Sequence, residues 1–163
     1  ENVLIDRQGR AMLTDFGIAR VTEAKPMTAT GTVLGTVQYM SPEQVSGEPL
    51  DGRSDLYAIG VLMFFAVSGR FPFERPSASA VLVAHVNAPA PRLRDVVLDV
   101  PSPLDDLVAT LLAKSPDRRL SSARDLLTAL AFMSSTATVW LGPLLTGWAT
   151  RTFNDQRIGL SPQ

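Results

Sequence analysis

The first apolar and polar positions of the chain spell a β-hairpin. Val3-Leu4-Ile5 and Ala11-Met12-Leu13 are short apolar runs, and Asp6-Arg7-Gln8-Gly9-Arg10 between them is a turn signal with glycine near its tip. Residues 20 to 36 have no period and carry Thr22, Lys25, Pro26, Thr28, Thr30, Gly31, Thr32, Gly35 and Thr36, which predicts a long loop. Long loops within compact domains are uncommon and usually functional. Ser41-Pro42-Glu43 then predicts a short helix. Serine is a good cap, proline is tolerated at the first helical position, and glutamate suits the positive end of the helix dipole. The next helix is expected from about Ser54 to Ser68, stopped by Gly69, and its stretch Ala58–Val67 is apolar on every side. At about ten residues that stretch is too short for a bilayer, which takes about twenty. It belongs in a core.

Three amphipathic helices are expected to follow. The first covers about Ser77 to Asn87, and Pro89, Pro91, Pro101 and Pro103 then break the chain. The second has Ser102 as its cap, Pro103 at its first position and Asp105-Asp106 in its first turn. Its apolar face is Leu104, Leu107, Val108, Leu111 and Leu112, at helical spacing. The third starts at Ser121 or Ser122 and turns Leu126, Leu127 and Leu130 inward, and the pattern stops near Met133.

Composition removes several kinds of chemistry. The 163 residues are 45% apolar and 19% charged, ordinary for one globular domain with a core. A net charge of −1 gives no broad electrostatic case for nucleic acid or an anionic membrane. The absence of cysteine excludes disulfides, thiolate chemistry and cysteine-ligated zinc. His85 is the only histidine, which argues against a histidine-rich metal site, and base rates of burial place it on a helix surface or edge. Lys25 and Lys114 are the only lysines among 15 basic residues, a bias typical of GC-rich bacterial coding. Glu1 opens directly into an apolar run with no charged leader or signal-like segment, and the expectation is a chain cut from something longer.

The residues that carry chemistry start with Asp15-Phe16-Gly17, directly after the second strand. Asn2 lies across the hairpin from Asp15, so an amide oxygen and a carboxylate fall near one end of the paired strands. Two hard oxygen ligands, completed by water and phosphate, are a usual way to build a magnesium–nucleotide site. Downstream come Gly35-Thr36-Val37-Gln38-Tyr39-Met40-Ser41-Pro42-Glu43, then Asp51-Gly52-Arg53-Ser54-Asp55-Leu56-Tyr57 with Gly60, and finally Lys114-Ser115-Pro116-Asp117-Arg118-Arg119.

In this order and spacing the motifs resemble the C-terminal lobe of a eukaryotic-like (Hanks-type) protein kinase, nearest the bacterial serine/threonine kinases. The implied fold is mainly α, a short β-hairpin plus a helical bundle, without the small lobe and the start of the catalytic loop. Residues 1–133 would be the partial catalytic domain and 134–163 an unassigned tail. The resemblance implies ATP and Mg2+ as cofactors, with Asp15 chelating the ion that bridges the phosphates and Asn2 a second one. It implies that Phe16, followed by Gly17, packs into the apolar stack coupling the lobes. Thr36 resembles the threonine that reaches the catalytic loop and favours Ser/Thr hydroxyls. Glu43, in a Ser-Pro-Glu version of the Ala-Pro-Glu motif, would form a buried ion pair with Arg119 and pin the substrate-receiving segment. Asp55 resembles the aspartate that hydrogen-bonds the catalytic-loop backbone. Thr28 and Thr30 are the expected autophosphorylation sites, since phosphorylation orders this loop in the family by adding charge that arginines can pair.

The sequence contains no His-Arg-Asp motif, no Gly-x-Gly-x-x-Gly loop, no strand lysine of the Val-Ala-Ile-Lys type and no P-loop. The carboxylate that accepts the substrate proton is therefore expected upstream of Glu1. The implied activity is transfer of the ATP γ-phosphoryl group to Ser/Thr of protein substrates by the parent, in the cytoplasm, with membrane attachment only through an anchor outside this chain and no nucleic-acid partner. These residues alone are expected neither to phosphorylate nor to fold as a stable monomer. The alternative is a kinase-derived scaffold or pseudokinase, against which the presence of both Asn2 and Asp15 argues. In the tail, the apolar stretch Ala137–Ala149 contains Trp140, Gly142, Pro143, Gly147 and Trp148 and is short of a transmembrane span.

Overall fold

The computed structural model describes the backbone of residues 3–5, 11–13 and 37–136, and the side chains of residues 37–133. The chain divides into two compact units, residues 1–30 and 31–163. In the first, strands β1 (Val3–Ile5) and β2 (Ala11–Leu13) pair antiparallel with Val3 opposite Leu13, Leu4 opposite Met12 and Ile5 opposite Ala11. This is the hairpin that the two apolar runs predict.

The described part of the second unit is helical. Helix α1 (Pro42–Ser46) is set by a reciprocal cap: the Ser41 hydroxyl accepts from the Gln44 N–H, and the Gln44 side chain accepts from the Ser41 N–H at 2.8 Å. Helix α2 (Gly52–Ser68) starts earlier than the sequence pattern predicts, because the Asp51 carboxylate accepts from the Arg53 N–H at 2.8 Å and caps it. It stops at Gly69, whose φ of 71° is left-handed and whose N–H donates to the Phe65 carbonyl at 2.8 Å.

The apolar character of α2 all round has a simple cause. One side, Tyr57, Val61 and Phe64, joins a cluster with Leu93, Val100, Val108 and Leu112. Another side presents Leu56 to Leu107, Leu111 and Leu126. The remaining turn is less covered: Leu62 is half-buried and Ala66 is exposed. Helix α3 (Ala78–Asn87) spans the expected stretch and is capped by the Ser77 hydroxyl, and a 3-10 turn at Leu93–Asp95 leads toward α4 (Ser102–Leu111).

The start of α4 departs from the sequence reading. Pro101, not Ser102, is the cap residue, because the Ser102 hydroxyl is taken as an acceptor by the Arg94 guanidinium. The apolar face of α4 is as expected, with Leu107, Val108, Leu111 and Leu112 buried. In α5 (Ala123–Thr136), Leu126 is buried and Leu130 packs behind it, but Leu127 is 67% exposed. Ala129 and Met133 complete the inward stripe with Leu126 and Leu130, and Leu127 lies about 100° round the helix from Leu126.

Helices α2 and α4 cross closely at Gly60. A Cβ added there would lie 2.7 Å from the Cβ of Leu111, which is fixed to its backbone and cannot swing away. Gly60→Ala is therefore expected to destabilise by about 1–3 kcal/mol through overpacking, against alanine's better helix propensity. Denaturant unfolding of the polypeptide checks this, and unchanged stability would show that the helices can move apart.

Candidate functional site

Glu43 occupies the first turn of α1, and only 3% of it is exposed. Arg119 follows a 3-10 turn at Pro116–Arg118 and reaches it from 76 residues away. Their side chains meet fork to fork, with Nη1 to Oε1 at 2.7 Å and Nη2 to Oε2 at 2.8 Å. The three other guanidinium hydrogens go to backbone carbonyls: Nε to Ala113 at 2.8 Å, Nη1 to Arg53 at 2.8 Å and Nη2 to Lys114 at 3.0 Å. All the N–H donors of the arginine are thus used. Ser54 on α2 donates to Glu43 Oε1 at 2.6 Å, and the guanidinium lies over the Tyr57 ring at 4.9 Å. Burial alone would raise the Glu43 pKa, but hydrogen bonds from Arg119 and Ser54 outweigh it and hold the carboxyl at about 2. This arrangement ties the 37–46 segment to both α2 and the loop after α4.

A second polar group is buried next to it. His85 on α3 has no exposed surface, and its Nδ1 lies 2.8 Å from the Tyr57 hydroxyl. The surface or edge position expected for this histidine is wrong, because Tyr57 and Phe73 pack against it from other elements. Phe73 meets the ring edge-on at 5.0 Å. Lys114 donates to the carbonyls of His85 at 2.7 Å and Ala84 at 3.3 Å, and its Nζ lies 4.2 Å from the Phe73 ring centre. Burial, then the Lys114 charge, lower the His85 pKa to about 4, with a small opposing contribution from the Gln38 main chain.

That shift has a signed consequence. The folded pKa lies below the ordinary 6.5, so the unfolded chain takes up the proton first. Stability due to this site is complete above pH 6.5 and is lost as pH falls toward 4. Unfolding measured across that window in wild type and in His85→Gln is expected to show a shallower slope in the variant.

A family model described as a protein kinase domain matches residues 1–132. The chain belongs to the protein kinase family. Among its relatives, the serine/threonine-protein kinase PknL of Mycobacterium tuberculosis is 41% identical over 123 residues, 76% of this chain and 31% of that protein. The serine/threonine-protein kinase PrkC of Bacillus subtilis is 37% identical over 125 residues, 77% of this chain and 19% of that protein. PknA of Mycobacterium tuberculosis is 40% identical over 121 residues, 74% of this chain and 27% of that protein. The kinase chain therefore spans less than a third of the length of these bacterial Ser/Thr kinase relatives. The mainly helical architecture is that of a kinase C-terminal lobe, and kinases of this family use ATP and Mg2+.

Of the residues singled out in this kinase sequence, Glu43 and Arg119 are brought together. Asp55 is exposed in the first turn of α2, and its side chain makes no hydrogen bond among the described residues. Asn2, Asp15, Phe16, Gly17, Thr28, Thr30 and Thr36 lie outside the described residues, as does the tail beyond Thr136. Ser54, His85 and Lys114 were not found by sequence reasoning. Lys114 was quoted only as the head of the stretch ending in Arg119 and as one of two lysines in an arginine-rich chain: a compact ammonium reaches two carbonyls over a ring face, where a planar fork is wider. Asp105 was noted only as a first-turn acid. It is 2% exposed and accepts from Arg92 Nε at 2.9 Å, joining the turn before α4 to that helix.

Proposed function

We propose that the polypeptide carrying this chain transfers the γ-phosphoryl group of ATP to serine or threonine hydroxyls of proteins. The observation that carries the reading is the Glu43–Arg119 pair. Two residues far apart in sequence, each belonging to a kinase motif, meet in a buried bidentate contact whose donors are all satisfied. In this reading residues 1–133 are part of a kinase catalytic domain and 134–163 a tail.

Asn2 and Asp15 are the residues that would hold magnesium, and their amide and carboxylate oxygens are the hard donors that ion takes. When bound, the ion neutralises charge on the phosphates. Thr36 would favour Ser/Thr hydroxyls, Phe16 would pack into the apolar stack that couples the lobes with Gly17 letting the chain turn after it, and Asp55 would brace the catalytic-loop backbone. Thr28 and Thr30 would take phosphate. No motif residue of the chain supplies the base for the substrate hydroxyl, so this chain by itself is expected to be inactive.

No helix among the described residues is long and apolar enough to cross a membrane. The proposed setting is the cytoplasm, with protein substrates and ATP as partners and any membrane anchor elsewhere in the parent. The test is transfer of labelled γ-phosphate to a protein acceptor by the intact polypeptide, with and without Mg2+. Metal-dependent labelling of serine or threonine is expected. Nucleotide binding with no transfer at any metal concentration would replace the kinase reading with the scaffold one.

A further inference from the structure

Helix α3 ends without a glycine cap. The residue after it, Ala88, is extended, and its N–H turns back to the Ala84 carbonyl at 3.0 Å. The N–H that would serve the next carbonyl, on His85, belongs to residue 89, and Pro89 has none. The missing donor arrives from 29 residues away. Lys114 Nζ donates to the His85 carbonyl at 2.7 Å and to the Ala84 carbonyl at 3.3 Å. A cation is also the charge that the C-terminal end of a helix dipole favours. The Phe73 ring, 4.2 Å from Nζ, holds the ammonium in place. Burial, then the Arg119 charge, lowers the Lys114 pKa to about 8, so the amine carries its proton at neutral pH.

The same residue faces the buried ion pair. The Lys114 carbonyl accepts from Arg119 Nη2 at 3.0 Å, and the Ala113 carbonyl accepts from Arg119 Nε at 2.8 Å. Helix α1, which carries Glu43, packs against α3. We propose that Lys114 is a positioning residue for protein-substrate binding: its side chain caps α3 while its backbone holds Arg119, so that α3 and the Glu43–Arg119 pair form one support for the 41–46 segment. A second tie runs in parallel, from the His85 ring through the Tyr57 hydroxyl at 2.8 Å to the guanidinium over the Tyr57 ring. The link to protein substrate rests on the phosphoryl-transfer reading; the cap on α3 does not.

In the intact polypeptide, Lys114→Met keeps an unbranched stem beside Phe73 and removes the donor. The amides of Val86, Asn87 and Ala88 are expected to exchange hydrogen about tenfold faster, and those of α2 within about twofold of wild type. KM for a peptide acceptor is expected to rise about fivefold, with kcat and KM for ATP changed by less than about twofold. Adding Pro89→Ala supplies the N–H that position 89 lacks and frees Ala88 from the extended conformation that a following proline imposes. The double variant should return exchange to within about threefold and peptide KM to within about twofold of wild type. Unchanged exchange in the last turn of α3, or a double variant no better than the single one, overturns the proposal. Faster exchange with an unchanged peptide KM refutes the positioning role. In the wild type, NMR coupling across the hydrogen bond from Lys114 Nζ to the His85 carbonyl carbon supports the cap, and its absence refutes it whether or not a variant folds. No phosphoryl transfer by the wild type removes the substrate role together with that reading, and exchange and coupling then decide the cap alone.

Discussion

Arg119→Leu is expected to destabilise the large lobe by about 3–5 kcal/mol, because it leaves the Glu43 carboxylate buried without its counter-charge. The loss includes three backbone carbonyls, on Ala113, Arg53 and Lys114, that have the guanidinium as donor. Its pH dependence identifies the cause. Glu43 has a folded pKa of about 2, below the ordinary 4.5, so its stabilising contribution is present above pH 4.5 and is lost as pH falls through about 2. The gap between wild type and Arg119→Leu should therefore narrow on acidification below pH 4.5. Replacing both partners with apolar residues, as in Glu43→Leu with Arg119→Met, should be less harmful than the single change, since no lone charge remains. Denaturant melts of wild type and of the two variants, made in the intact polypeptide at neutral and acidic pH, measure this, and a single variant no worse than the double one would sink the account.

Asp15→Asn is the corresponding prediction for chemistry. The substitution keeps shape and one oxygen but removes the charge that a hard divalent ion requires. If Asp15 has the proposed role, kcat should fall on the order of 10^2–10^3, the range for losing one electrostatic contact to developing charge. The peptide KM should stay near its wild-type value, and added Mg2+ should recover part of the rate. A rate within about threefold of wild type at every metal concentration would remove Asp15 from the site.

Local chemistry made the helix frame readable from sequence. Ser41, Ser77 and Gly69 act within a few residues of their own backbone, so their roles do not depend on distant partners. The misreadings have the opposite origin. Ser102 has the side chain of a cap, but Arg94 from the preceding turn competes for its hydroxyl. His85 has the sequence context of an edge residue until Tyr57 and Phe73 arrive from elsewhere in the fold. Asp51 caps α2 ahead of Ser54, and Ser54 is free to serve Glu43 instead. The Glu43–Arg119 contact is a long-range one that no period could reveal, and only the kinase motifs pointed to it. For Asn2, Asp15 and Thr36 the sequence remains the source of the assignment, because they lie outside the described residues.

The two-sided burial of α2 also bears on how far this lobe could be shortened. Tyr57, Val61 and Phe64 lean on the turn and loop before α4, while Leu56 leans on α4 and α5. Pruning α5 would strip Leu126 from the wall behind Leu111, and pruning the segment before α4 would uncover Val61 and Phe64. Between Gly52 and Met133 the described helices therefore offer no seam along which the helical unit could be shortened.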